Sequence, residues 1–112
     1  MKRVIIESPY AGTPEQIEIN VRYARACVRD SLMRGEAPIA SHLLYTQEGI
    51  LIDEIPRERR MGIDAGHAWL IGCDLVVFYV DLGMSDGMKA ALSRVQNFRI
   101  SLDIRNVKGW GK

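Results

Sequence analysis

Three short stretches of this 112-residue sequence place reactive side chains where an apolar run gives way to turn residues. Glu7-Ser8-Pro9-Tyr10 closes the run that begins at Arg3, Ser41-His42 follows Ala37 to Ala40, and Asp81 to Met88 follows Asp74 to Val80. Ser85-Asp86-Gly87 stands where a helix should begin. The free N–H groups and partial positive charge of such a start suit a phosphate, and Gly87 lets a ligand approach closely. The plainer reading is that Ser85 caps the helix and Gly87 serves the turn. His42 would stand at the mouth of the same cleft, contacting a base or phosphate, or simply hydrogen-bonding a loop. Tyr10 could stack on a base or bond a sugar hydroxyl, with Ser8 and Pro9 beside it. A carboxylate at Glu7 must reach the cleft or pair with an arginine, because burial without a partner is costly. It is a candidate acid, base or ribose-binding group, and Asp81 has the same two readings. His67, mid-helix beside Trp69, reads as a packing or subunit-contact residue.

The elements that must position these groups follow from periodicity and punctuation. Arg3 to Glu7 is apolar and β-branched, a buried strand opening into the turn-rich Ser8 to Gly12. Thr13-Pro14-Glu15-Gln16 carries a cap, a first-turn proline and a capping-box glutamine, and predicts a helix to about Arg34, ended by Gly35. Its apolar stripe is Ile17, Val21, Ala24, Val28 and Leu32, with Arg22, Arg25 and Arg29 facing water. Ala37 to Ala40 predicts a second strand. Residues 43–55 read as a loop with some helix. Pro56 to Ile71 predicts a helix weakened by Gly62 and Gly66, each by roughly 1 kcal/mol. Asp74 to Val80 is apolar almost throughout, as a central strand covered on both faces should be. A helix through Ala91, Leu92 and Val95 and a last strand near Phe98 to Ile104 complete the order, leaving 106–112 as a loose tail. The alternation β-α-β-α-β-α-β favours right-handed crossovers and a small parallel sheet of about four strands between two helical layers, a doubly wound α/β/α fold of Rossmann-like or flavodoxin-like type. In such sheets ligands bind beyond the carboxyl ends of the strands, which is where all three stretches fall.

Composition narrows the partners. Lys plus Arg total 15 against 14 Asp plus Glu, a formal charge of +1, so no global field favours a nucleic acid polymer or an anionic membrane. Cys27 and Cys73 are far apart, without metal-ligand spacing, and read as buried apolar residues. No metal is expected and no cofactor. Neither a leader segment nor a membrane span is apparent, which gives a cytoplasmic expectation. The chain reads as one domain over 1–112. The dinucleotide-binding glycine fingerprint and the phosphate-binding P-loop are both absent from the sequence.

Taken in order, Ile5-Ile6-Glu7-Ser8-Pro9-Tyr10-Ala11-Gly12, Asn20-x-x-x-Ala24, Ala37-Pro38-Ile39-Ala40-Ser41-His42-Leu43, Glu58-Arg59-x-x-Gly62-Ile63 and Ser85-x-Gly87-Met88 resemble the small nucleoside 2-deoxyribosyltransferase-like domains common in bacteria and their phages. The similarity runs from Val4 to about Val95. The resemblance implies cleavage or exchange of an N-glycosidic bond by an attacking glutamate, helped by an aspartate on the preceding helix. It also implies a 5′-phosphate held at Ser85 and Gly87, with Met88 beside them among the ligand-binding residues, and a sugar and base along Ser8, Pro9 and Tyr10. The sequence departs from the pattern at the nucleophile: counting from Ser85-x-Gly87, the glutamate's place is taken by Ala91, which can neither attack carbon nor carry charge. The helical aspartate falls near Gly66, and Asp64 matches only with a slipped register.

Three readings follow. The first is a noncatalytic binder, sensor or sequestering protein for a small-molecule nucleotide or nucleoside phosphate. The second is an N-glycosidic-bond hydrolase or deoxyribosyltransferase using Glu7, Asp64 or Asp81 as a relocated carboxylate. The third is an interaction subunit with a vestigial cleft. A homo-oligomer is expected under any of them, because the family assembles and because Met61, Ile63 and Trp69 are candidates for exposure.

Overall fold

Among the described residues four strands and four helices follow in the order β1 (Arg3–Glu7), α1 (Pro14–Met33), β2 (Ala37–Ile39), α2 (Ser41–Tyr45), α3 (Pro56–Ala68), β3 (Leu75–Tyr79), α4 (Asp86–Asn97) and β4 (Leu102–Arg105). The computed structural model describes residues 1–111. All strand pairings are parallel, in the order β2-β1-β3-β4, so the expected α/β architecture is the one observed. β3 is interior and buried along its whole length, which is why its sequence lacks the alternation of a one-sided strand.

Side-chain alternation along β1 and β3 divides the core in two. Val4, Ile6, Val77 and Tyr79 pack with Tyr23 and Cys27 of α1. Ile5, Val76 and Phe78 pack with Met88, Ala91 and Val95 of α4 and with Leu70. The helices α1 and α4 therefore cover opposite faces, as the doubly wound arrangement requires.

The start of α1 is built as its sequence predicts. Thr13 Oγ1 accepts from the Gln16 N–H at 3.2 Å while Gln16 Oε1 accepts from the Thr13 N–H at 2.8 Å. Gly12, at φ 156°, precedes this box, and a Cβ there would collide with the Gln16 side chain. The buried stripe, however, is rotated from the expected one: Asn20, Tyr23, Ala24, Cys27 and Ser31 face inward, whereas Leu32 is exposed. Polar anchors decide this. Tyr23 bonds Asp81, and Ser31 bonds Glu36 at 2.7 Å, and neither residue counts in an apolar pattern.

α2 occupies the start of the stretch expected as loop with some helix, and β2 stops before it at Ile39. The two glycines of α3 have a packing reason. A Cβ on Gly66 would lie 2.7 Å from Ser41 Oγ, and one on Gly62 would lie 3.2 Å from Leu51 Cδ1. Residues that weaken α3 as an isolated helix thus let α2 and its loop close upon it. α3 ends at Ala68 rather than at Ile71, and none of its residues is buried.

The last strand also differs from expectation. Phe98 is exposed and caps α4, Arg99 turns the chain at φ 54°, and β4 begins only at Leu102. The tail is docked rather than loose through 111: the Val107 N–H donates to Asp81 Oδ2 at 2.8 Å, and the Trp110 ring meets Tyr23 edge-on with centroids 4.8 Å apart. Lys112 lies outside the described residues. Cys27 is buried as expected, while Cys73 is only half-buried. Among the described residues no helix is long and apolar enough to cross a membrane.

Candidate functional site

The strand order reverses between β1 and β3. From β1 the chain leaves over one face through α1, and from β3 it leaves over the other through α4, so the two loops diverge beyond the strand ends, the place where open parallel sheets form a ligand crevice. Ser8, Pro9 and Tyr10 come from the first loop, and Asp81 to Ser85 form the second.

On the β1 side the structure brings together Ser8, Tyr10 and His42. Ser8 Oγ lies 2.9 Å from His42 Nε2, and the Tyr10 ring meets the imidazole edge-on at 6.0 Å. Asn20 Nδ2 donates to the Tyr10 carbonyl at 2.8 Å, so α1 fixes this loop. Burial pushes the His42 imidazole down to about 4, which leaves it uncharged near neutrality, a hydrogen-bonding ring rather than a cation for an anion. Ser8 and Pro9 are themselves buried and shape the floor of the crevice.

On the β3 side Ser85 caps α4, its Oγ accepting from the Met88 N–H at 3.2 Å. The amides of Asp86 and Gly87 have no partner among the described residues. A Cβ at Gly87 would meet nothing nearer than Ser85 Oγ at 3.9 Å, and its φ is not positive. The fold therefore does not require glycine here, and the space above it is open. Met88, expected among the ligand residues, is instead a core side chain packed with Ile5 and Phe78, and its amide is already taken by Ser85. Asp86 is exposed in the same first turn, where its charge complements the helix dipole and would compete with an incoming anion.

The three candidate carboxylates have different surroundings. Asp81 Oδ2 accepts from Tyr23 Oη at 2.5 Å and from the Val107 N–H at 2.8 Å, so this side chain anchors α1 and the tail. Asp64 lies on the outer side of α3, exposed and paired with Arg60 at 3.3 Å. Glu7 ends β1 on the α4 side, since it shares the face of Ile5. Its carboxylate has no hydrogen-bond or ion-pair partner among the described residues, and burial pushes it up to about 7 against the opposing pull of the Arg94 charge. Ala91 is buried against the same face.

Sequence reasoning did not single out Arg94. Its guanidinium lies against the His67 ring. Burial and the Arg94 charge hold the His67 ring below its ordinary pKa. The signal was available in the helical spacing Gly87, Ala91, Arg94, one stripe of α4. Among the described residues no group of three or more His, Cys, Asp or Glu side chains is placed to hold a metal ion.

A mostly apolar groove of about 530 Å³ lies at the opposite, amino-terminal ends of β1 and β2, lined by Leu32, Ile39, Trp69, Ile71 and Cys73 among others. Arg3 and Glu36 also line it, whereas at the carboxyl ends of the strands Ser8, Tyr10 and His42 bring several polar groups together. A family described as a domain of unknown function, DUF7768, matches residues 2–105. No curated protein and no solved structure matches the chain.

Proposed function

We propose that this chain, which belongs to the DUF7768 domain family, is a noncatalytic cytoplasmic binder of a phosphorylated nucleotide, acting as a sensor or sequestering protein. The observation that carries the reading is the pair of unpartnered amides at Asp86 and Gly87. They open a helix beside the strand-order reversal, with a glycine that nothing in the fold demands. A phosphate on those amides would direct the rest of the ligand toward Ser8, Tyr10 and His42, whose uncharged polar groups suit a sugar or base. This is also the placement implied by the resemblance to nucleoside 2-deoxyribosyltransferase-like domains. Ala91 supplies no nucleophile, which favours binding over double displacement. Exposed Met61, Ile63 and Trp69 support burial against a second copy.

One observation favours the second reading, an N-glycosidic-bond hydrolase: Glu7 is an unpartnered carboxyl at the crevice, able to replace the missing glutamate. The two are separated by following free base during incubation with nucleoside monophosphates. Equilibrium dialysis with nucleoside mono- and diphosphates and cyclic nucleotides should give saturable binding without base release. At a hundredfold excess over Kd, ligand should stabilise the fold by about 2.7 kcal/mol. Gly87→Asp places a like charge on the anion site and should abolish binding while leaving the melting temperature of the free protein within a few degrees. Unchanged affinity in that variant, or no binding across the panel, would overturn the proposal.

A further inference from the structure

We infer that Glu7 is a ligand-contacting residue of the crevice, receiving the hydroxyl donors of the ligand's sugar on both oxygens of its carboxylate. The inference rests on the nucleotide-binding reading and assigns the sugar-recognising group within it.

The geometry argues as follows. β1 is apolar from Val4 to Ile6, and Glu7 is its last residue, paired in register with the fully buried Phe78. An apolar residue would continue that strand without desolvating a charge, so a carboxyl here is unfavourable in the free protein. Other acidic groups set into the body of the fold have taken protein donors. Asp81 has Tyr23 and the Val107 amide, Asp30 has Tyr79 at 2.7 Å, and Glu36 has Arg105 and Ser31. Glu7 alone of this set has none among the described residues. Its oxygens keep some solvent access and are left free to accept from donors on a ligand, since a carboxylate is an acceptor-only group.

The surroundings restrict what those donors are. The elements around the end of β1 carry His42 in α2, Arg57, Glu58, Arg59, Arg60, Asp64 and His67 in α3, Asp81 after β3, and Asp86, Lys89 and Arg94 in α4. Arg94 is the one whose charge bears on Glu7, and its guanidinium is held against His67. A phosphate would be repelled by the carboxylate, which leaves that group to the α4 amides. Neutral hydroxyls fit Glu7, and two free oxygens suit the adjacent hydroxyls of a ribose better than the single hydroxyl of a deoxyribose. Such bonds favour the charged carboxylate. Binding should therefore release a proton from Glu7 near neutrality, and affinity should rise with pH until it levels above about 7.

The experiment compares native protein and Glu7→Gln with a ribonucleoside monophosphate, its 2′-deoxy and 2′,3′-dideoxy forms, and inorganic phosphate. Native protein should bind in the order ribo, deoxy, dideoxy, with about tenfold between the extremes. In Glu7→Gln the ribonucleotide should fall to the dideoxy level, while dideoxy and phosphate affinities stay the same or rise as the carboxylate's repulsion is removed. Calorimetry in two buffers of different ionisation enthalpy should show proton release by native protein above that of the variant, the phosphate's own ionisation being common to both. Retained phosphate binding shows that the variant is folded. Equal affinity for ribo and dideoxy forms in native protein, or undiminished discrimination in Glu7→Gln, would overturn the inference and leave the phosphate site standing. Absence of phosphate and dideoxy binding in native protein would overturn the nucleotide reading, and this inference with it.

Discussion

The two faces of the sheet handle polar groups in opposite ways. Beneath α1, Arg105 makes a bidentate pair with Glu36 at 2.7 and 2.8 Å, Ser31 adds a third bond to the same carboxylate, Tyr79 bonds Asp30, and Tyr23 with Val107 closes on Asp81. On the α4 side Glu7 is unpartnered, the first amides of α4 are open, and α3 buries none of its residues. Satisfied buried networks specify and stabilise a fold, whereas unsatisfied groups at a cleft keep bonding capacity for a ligand. Under the proposed function, the α1 face supplies stability and the crevice bounded by α4 supplies binding.

The largest effect that could break this comparison is expected at the Arg105–Glu36 pair, whose side chains are 9% and 11% exposed. Glu36→Gln leaves the guanidinium poorly compensated and should cost ~3–5 kcal/mol in denaturant unfolding, a large share of the stability of a small domain. Glu7→Gln, on the opposite face, should leave stability at pH 8 unchanged or raised. Equal losses from the two substitutions would erase the distinction.

The acid limb of the stability profile sharpens it further. Arg105, aided by Ser31, holds the Glu36 carboxyl down to about 2 from an ordinary 4.5, so its contribution is present above 4.5 and lost as pH falls toward 2. His42 is pushed from 6.5 to about 4, so the unfolded chain binds its proton first and stability falls as pH drops through that interval. Glu7 works in the other direction: raised from 4.5 to about 7, it is protonated more readily in the folded state, and stability declines as pH rises across that range. Urea midpoints measured from pH 3 to 8 should therefore respond differently to each substitution. Glu36→Gln should flatten the profile below 4.5, and Glu7→Gln should steepen the rise between 4.5 and 6.5. A Glu7→Gln profile that matches native protein would show that the carboxyl is solvated after all.

The order of the strands and of the long helices was legible in the residues. Capping at Thr13 and Ser85, the unbroken apolar run of β3 and the turn residues after β1 are local signals, and parallel alternation then dictates where loops converge. The partnerships were not legible. Glu36 and Arg105 are 69 positions apart and Tyr23 and Asp81 are 58 apart, so only the packed register of α1 over the sheet brings them together. The same reason explains Asp81, whose position at a strand end resembles a cleft residue until the docked tail takes its oxygen. Met88 was misplaced because adjacency to Gly87 in sequence does not survive the 100° turn of a helix, which carries it into the core.

The central claim, that the α4 amides and the β1 loop form one nucleotide site, is tested most directly by following backbone amide resonances while a nucleoside monophosphate is added. The account predicts saturable shifts centred on Asp86 and Gly87, with a second group from Ser8 to Gly12 and at His42. Shifts confined to Trp69 to Cys73 and β2, around the apolar groove at the other end of the strands, would contradict it, as would a spectrum that does not change.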